Sequence, residues 1–138
     1  MASLVIIAAL TALSVPRFEQ MIDQARVARA IGDIQALEID LASADTLPSS
    51  LEGIGRGDML DPWGHPYVYF KFPPPTGRGG APPAGARRDR FLVPVNSTYD
   101  LYSMGADGQT AIAFTARASA DDVVRADDGS YVGLAAKF

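Results

Sequence analysis

The chain has 138 residues, of which 48% are hydrophobic and 20% charged, and it contains no cysteine. This size and composition indicate one ordered domain, and without cysteine the chain can form neither a disulfide nor a thiolate metal site. The net charge of −4 argues against nonspecific binding to nucleic acid, which requires a basic face, so we expect no nucleic-acid partner.

The first segment is apolar. Residues 1–15 read MASLVIIAALTALSV and carry no charged side chain. As a helix the segment is about 22 Å long, which is short for a membrane span of roughly 20 residues. A secretory signal would need basic residues before the apolar run and a small-residue cleavage site after it, and neither is visible. We interpret the segment as membrane-associated, with a buried core helix as the alternative.

From residue 17 the pattern becomes amphipathic. Apolar residues recur at spacings of three to five, and polar residues occupy most of the other positions; the apolar stripe is Ile22, Val27, Ala30, Ile31, Ile34, Leu37 and Leu41. Pro16 is expected to kink the axis, and Pro48 disfavours helical geometry in the residue before it. We predict one helix over about residues 2–44, with an apolar half at 1–16 and an amphipathic half at 17–44.

Residues 45–138 are predicted to form a globular head. Residues 51–58 contain three glycines and indicate a loop. The block Asp61, Pro62, Trp63 and Gly64 is typical of a turn whose aspartate accepts backbone hydrogen bonds. Aromatic and branched residues predict strands, and Asp-Asp-Gly at 127–129 predicts a hairpin; the strands are expected at 66–72, 90–95, 99–103, 123–126 and 130–134. The sequence thus predicts an α+β protein, a long helix packed on a small antiparallel sheet.

One stretch of the head, residues 73–90, consists almost entirely of proline, glycine, alanine and arginine. Such a composition predicts an exposed, mobile loop. Its arginines could bind a phosphate or an acidic partner; they are Arg78, Arg87, Arg88 and Arg90. A solvated loop is the favoured interpretation, because Asp89 interrupts the cluster and no aromatic residue lies among the arginines.

Four blocks of sequence follow one another in a recognisable order. They are the apolar segment ending Val15-Pro16, ARVARA at 25–30 with DIQALE at 33–38, DPWGHPYVY at 61–69, and YDLYSMGADG at 99–108. In these blocks the chain resembles the major pseudopilins of type II secretion systems, and it is similar to the wider type IV pilin group. The resemblance implies a pilin-like fold.

The resemblance also implies a function and a location. A subunit of this family sits in the inner membrane of a Gram-negative bacterium with its head in the periplasm, and then packs with its copies into a helical filament. Minor pseudopilins and an inner-membrane assembly platform are its partners. The apolar residues expected to line the filament core are Leu4, Val5, Ile6, Ile7, Leu10, Leu13, Val15 and Pro16. The alternatives are a type IV pilus subunit for adhesion or motility and a membrane-tethered binding module.

The sequence departs from the family at its start. Family members begin, after processing, with a phenylalanine and carry a glutamate at the fifth position, and an alignment through Pro16 places these residues before Met1. The processing site, the methylated amino terminus and the assembly glutamate therefore do not carry over to any residue of the sequence given.

The same resemblance implies a calcium ion in the loop after residues 99–103. The matching ligands are the carbonyl of Met104 and the carboxylate of Asp107, with Asp121 and Asp122 as candidates for the later ligands. Calcium binds six to eight oxygens from carboxylates and carbonyls, so these residue types are suitable. The alternative is that residues 107–108 form a simple turn and that Asp121 and Asp122 are a solvated pair.

An enzymatic function is not supported by the sequence. His65 lies beside a proline in the DPWG block, where a packing role is favoured over proton transfer. No Gly-x-Ser-x-Gly elbow, P-loop or paired-histidine motif occurs. We therefore expect a structural or binding protein.

Overall fold

A computed structural model describes the backbone of residues 2–75 and 79–138, with side chains described from residue 15 onwards in those ranges. One long helix, α1, precedes a four-stranded antiparallel sheet in the order β1-β2-β3-β4. The elements are α1 (Ala2–Ser43), β1 (Val68–Lys71), β2 (Tyr99–Ser103), β3 (Val123–Ala126) and β4 (Tyr131–Leu134). The predicted α+β class is confirmed, and the arrangement is consistent with a pilin-like fold.

Helix α1 packs on the sheet through its second half. The helix runs continuously across Pro16, close to the predicted bounds. Ala30, Ile34 and Leu37 are fully buried and Leu41 almost so, as the stripe predicted, whereas Ile22 is 37% exposed. The head therefore covers the helix from about Val27 onwards. Within the described residues, no helix includes a run long and apolar enough to cross a membrane.

The sheet has two covered faces. Tyr99, Leu101 and Val123 belong to the cluster that packs on α1. Their neighbours along the strands point the other way, since side chains alternate across a strand, and Val124 joins a second cluster with Phe114. Connecting segments cover this second face. The chain thus forms three layers: helix, sheet and irregular segments.

Three of the predicted strands are confirmed in place, and a fourth, at 66–72, is confirmed but shorter. The 127–129 turn joins β3 to β4 as predicted, and both Asp127 and Asp128 adopt positive φ angles of 50° and 51°. Asp128 is held there because its carboxylate accepts a hydrogen bond from the Ser97 N–H at 2.8 Å.

Two local predictions are wrong. Residues 90–95 form no strand; the Asp89 N–H donates to the Leu92 carbonyl at 2.9 Å, which closes a tight turn with Phe91 exposed. Pro94 has no N–H to contribute to a ladder, which disfavours a strand there. In the predicted loop at 51–58, a single 3₁₀ turn (Leu51–Ile54) forms because the Leu51 side chain is buried in the core.

The loop at 73–90 is mostly exposed in its described part, as predicted, with one exception. Ala86 and Arg87 are buried, and only 3% of Arg87 is exposed. The interpretation of all four arginines as solvated is therefore wrong for Arg87. Arg78 lies outside the described residues, whereas Arg88 and Arg90 are exposed.

Candidate functional site

The part of α1 just before the head, residues 15–22, presents apolar side chains that no other described residue covers. Val15, Phe18 and Met21 are 50%, 64% and 66% exposed. They remain uncovered because the head core uses residues from Val27 onwards. We call Val15, Phe18, Met21 and Ile22 the exposed helix surface.

The residues predicted to line a filament core lie on the same helix as this surface. Val15 and Pro16 are both exposed. The side chains of the others lie outside the described residues, although their backbone is helical; they are Leu4, Val5, Ile6, Ile7, Leu10 and Leu13. The structure thus places all eight on one helix.

The DPWG block forms the predicted turn and also reaches the sheet. The buried Asp61 carboxylate accepts hydrogen bonds from the backbone N–H groups of Trp63 and His65 at 3.0 and 2.9 Å. Its second oxygen accepts the Ser103 hydroxyl of β2 at 2.5 Å. Pro62 and Trp63 are half-buried, and the turn closes at Gly64 with φ +90°. These contacts give the block a structural role.

His65 connects this turn to the loop after β2. Its Nδ1 lies 3.1 Å from the Gly105 carbonyl oxygen, and its ring packs beside Gly108. The two most distinctive sequence blocks, at 61–69 and 99–108, therefore meet in space. The predicted packing role of His65 is confirmed.

Three of the four predicted calcium ligands come together in the loop after β2. The Asp107 N–H donates to the Asp121 carboxylate at 3.0 Å, and the Asp107 carboxylate accepts the Gln109 N–H at 2.8 Å. Gly105, directly after Met104, lies so close to the Asp121 backbone that a side chain would collide with it. Met104, Asp107 and Asp121 are thus neighbours.

Asp122 belongs to a different site. It is fully buried, and its Oδ2 accepts hydrogen bonds from the Arg87 guanidinium at 2.8 Å and the Thr110 hydroxyl at 2.6 Å. The Arg87 guanidinium also stacks over the Tyr102 ring, 4.2 Å from its centroid. Asp122 is therefore the counter-ion of a buried arginine, and neither a solvated residue nor a member of the Asp107 loop.

Arg87 holds a second buried carboxylate through its backbone. Its N–H donates to Asp100 Oδ2 at 2.7 Å, while Asn96 donates to the other oxygen at 2.9 Å. Burial raises the pKa of Asp100 and of Asp122, although the hydrogen bonds to each carboxylate lower it in part. We call Arg87, Asp100, Thr110 and Asp122 the Arg87 cluster. It anchors the loop at 73–90 to the outer sheet face.

A second ion pair, also missed by the sequence analysis, joins the helix to the sheet. Arg125 of β3 donates to Glu38 of α1 at 2.5 Å, and its guanidinium lies over the Tyr99 ring, 4.2 Å from the centroid. Arg125 also donates to the Asn96 side chain at 3.0 Å. Neither arginine stands out in the sequence from the exposed ones, because burial depends on contacts between residues far apart in the chain.

Across residues 15–75 and 79–138, no group of three or more histidine, aspartate or glutamate side chains is arranged to hold a metal. Met104, Asp107 and Asp121 offer oxygens of the kinds that calcium prefers, whereas Asp122 is already paired with Arg87. Comparison of the chain with protein-family models, with curated proteins and with solved structures finds no match.

Proposed function

We propose that this chain is a structural subunit that polymerises through its N-terminal helix into a pilus-like filament, a type II secretion pseudopilus that drives protein export. The observation that carries the proposal is the exposed helix surface, which continues the uncharged residues 1–15 beyond the reach of the head. A helix with that surface requires an apolar environment outside its own chain. The proposal assigns the chain no catalytic step.

The energetics favour association of such helices. Full burial of a large apolar side chain contributes about 1.5–3 kcal/mol. Because the four residues of the exposed helix surface are 37–66% exposed, covering what remains exposed offers roughly 3–6 kcal/mol per copy before the cost of association. Transfer of the leading segment from lipid to neighbouring helices changes its solvent little, which makes exchange between membrane and filament feasible.

The proposal includes a location and partners. Before assembly the apolar half, residues 1–16, lies in the inner membrane of a Gram-negative bacterium with the head in the periplasm. Minor pseudopilins and an inner-membrane platform start and drive assembly. The sequence blocks at 61–69 and 99–108 support this assignment, because they are the most specific part of the resemblance and they pack on each other.

Negative-stain microscopy of the purified full chain tests the proposal. On removal of detergent, the chain should form thin fibres, and Phe18→Glu should abolish them because it places a charge in the apolar interface. Phe91→Glu is the matched control, since Phe91 is an exposed aromatic on the head, and it should leave fibres unchanged. A wild-type chain that stays monomeric, or a Phe18→Glu variant that still assembles, contradicts the proposal.

The alternatives are a type IV pilus subunit for adhesion or motility and a membrane-tethered binding module. The microscopy distinguishes a filament subunit, which should form fibres, from a binding module, which should stay dispersed. Neighbouring genes separate the two filaments: a secretion ATPase, an outer-membrane secretin and minor pseudopilins accompany the pseudopilus, and a retraction ATPase accompanies the motile pilus.

We also propose a calcium ion in the head, at a site smaller than the sequence predicted. Its protein ligands are the Met104 carbonyl and the carboxylates of Asp107 and Asp121. The support is that Asp107 and Asp121 lie in contact while calcium prefers oxygen ligands of these two kinds.

A further inference from the structure

A groove on the outer side of the head lies outside the function proposed so far. It has a volume of about 460 Å³ and lies on the sheet face opposite α1, because Phe114 of the second apolar cluster lines it. Its cationic and aromatic lining residues are Arg90, Phe91, Phe114, Arg117, Lys137 and Phe138. We call it the outer groove. No residue of the exposed helix surface lines it.

The outer groove is cationic in an acidic protein. Arg90, Arg117 and Lys137 line it, whereas the chain as a whole carries a net charge of −4. None of the three forms an ion pair with a carboxylate in the part of the chain that the structure describes. Asp89 is the acidic side chain in the lining. The lining of the groove therefore carries three cationic side chains against one carboxylate side chain.

Apolar rings accompany the charges. Phe91 is 91% exposed at the tip of the turn closed by Asp89 and Leu92, and Phe138 is 38% exposed. The Phe138 ring stacks edge-on against buried Phe114 at 5.8 Å, which fixes one wall. Single exposed apolar residues are ordinary, but aromatic residues beside arginines in a concave site are typical of the centre of a protein interface.

We propose that the outer groove binds an acidic segment of a partner protein. Carboxylates of that segment pair with Arg90, Arg117 and Lys137, and an apolar side chain between them lies against Phe91 and Phe138. The planar guanidinium groups match carboxylates in two-point hydrogen bonding. A peptide fits the groove better than a lipid surface does, because a side chain of the peptide can enter a concave site. A flat membrane would contact the protruding parts of a protein and not its concave parts.

Fluorescence anisotropy of a labelled peptide tests the proposal on the detergent-solubilised full chain. The probe is a short synthetic peptide of glutamates around one phenylalanine, with a lysine version as the charge control. We expect the glutamate peptide to bind, to weaken as salt rises, and to bind at least tenfold more weakly to the triple variant Arg90→Glu, Arg117→Glu and Lys137→Glu. Phe91→Ala should weaken binding several-fold, because it removes the exposed ring.

A matched triple variant on the helix distinguishes the effect of the groove cations on peptide binding from the effect of the overall net charge. Arg17→Glu, Arg26→Glu and Arg29→Glu change the net charge by the same amount on exposed positions far from the groove, and should leave peptide binding unchanged. The proposal is overturned if both triple variants weaken binding equally, or if the wild-type chain does not bind the peptide. It is also overturned if anionic phosphatidylglycerol vesicles bind through the groove cations while the peptide does not. The assay uses dispersed protein, so a failure to form fibres does not affect its result.

Discussion

Replacement of Asp122 by asparagine distinguishes an ion pair from a metal ligand. Asp122 is 0% and Arg87 3% exposed, so Asp122→Asn leaves a guanidinium without its counter-ion and without access to water. Removal of one partner of a buried ion pair costs about 3–5 kcal/mol. The asparagine oxygen still accepts one hydrogen bond, so we expect the lower end, about 3 kcal/mol. For a domain of this size that lowers the melting temperature by about 10 °C or more.

The assay is thermal unfolding of the full chain, followed by near-ultraviolet circular dichroism with calcium and with a chelator. Asp122→Asn should lower the melting temperature equally in both conditions, because the lost partner is Arg87. Asp107→Asn is the matched control: it should change little with chelator present and remove the calcium-dependent increase, as mass action requires for a lost ligand.

Two results would refute this reasoning in different ways. If Asp122→Asn is as stable as wild type in chelator and loses only the calcium response, Asp122 is a metal ligand and the Arg87 ion pair contributes nothing to stability. If calcium does not raise the melting temperature of the wild-type chain, the calcium proposal is wrong, while the expected cost of Asp122→Asn still stands. A partial recovery of stability in Arg87→Met with Asp122→Leu would support the ion-pair interpretation, since apolar pairs often replace buried ions without loss.

Three further predictions concern stability and are checked by chemical or thermal unfolding. Gly105→Ala should destabilise the head by several kcal/mol, because φ is +65° there and a side chain would collide with the Asp121 backbone; an unchanged midpoint would contradict the packing of that loop. Gly32→Ala should instead stabilise the chain by about 0.5–1 kcal/mol, since the site is helical and exposed with open space around it. Burial is the larger cause and the hydrogen bond to Asp33 the second cause that hold the pKa of Tyr67 well above its ordinary value near 10. As the pH rises, Tyr67 therefore ionises in the unfolded chain before it ionises in the folded one. Stability should therefore be complete below pH 10 and fall above it, by about 1.4 kcal/mol per pH unit from this group, and Tyr67→Phe should make that fall less steep; an identical slope in the variant would argue against the Tyr67 contribution.

The sequence predicted the elements whose signals are local. The 3.6-residue period identified the helix and its buried stripe, and Asp-Asp-Gly identified the hairpin, because both depend on the geometry of neighbouring residues. The carboxylate of Asp61 capping its own turn is local for the same reason. The segment at 90–95 has a composition that suits a strand, but the Asp89 N–H closes a tight turn on the Leu92 carbonyl and Pro94 has no N–H for a ladder.

A leading apolar helix, an amphipathic continuation and a small sheet all follow from local patterns in the amino-acid sequence. Which charged residues are buried depends on how the chain folds. Arg87, within an otherwise exposed loop, pairs with Asp122, and Arg125 pairs with Glu38 across the helix-sheet interface. The reason is that periodicity reports which face of an element is apolar, whereas the partner of a buried charge depends on segments that meet only after folding, 35 residues apart in one pair and 87 in the other.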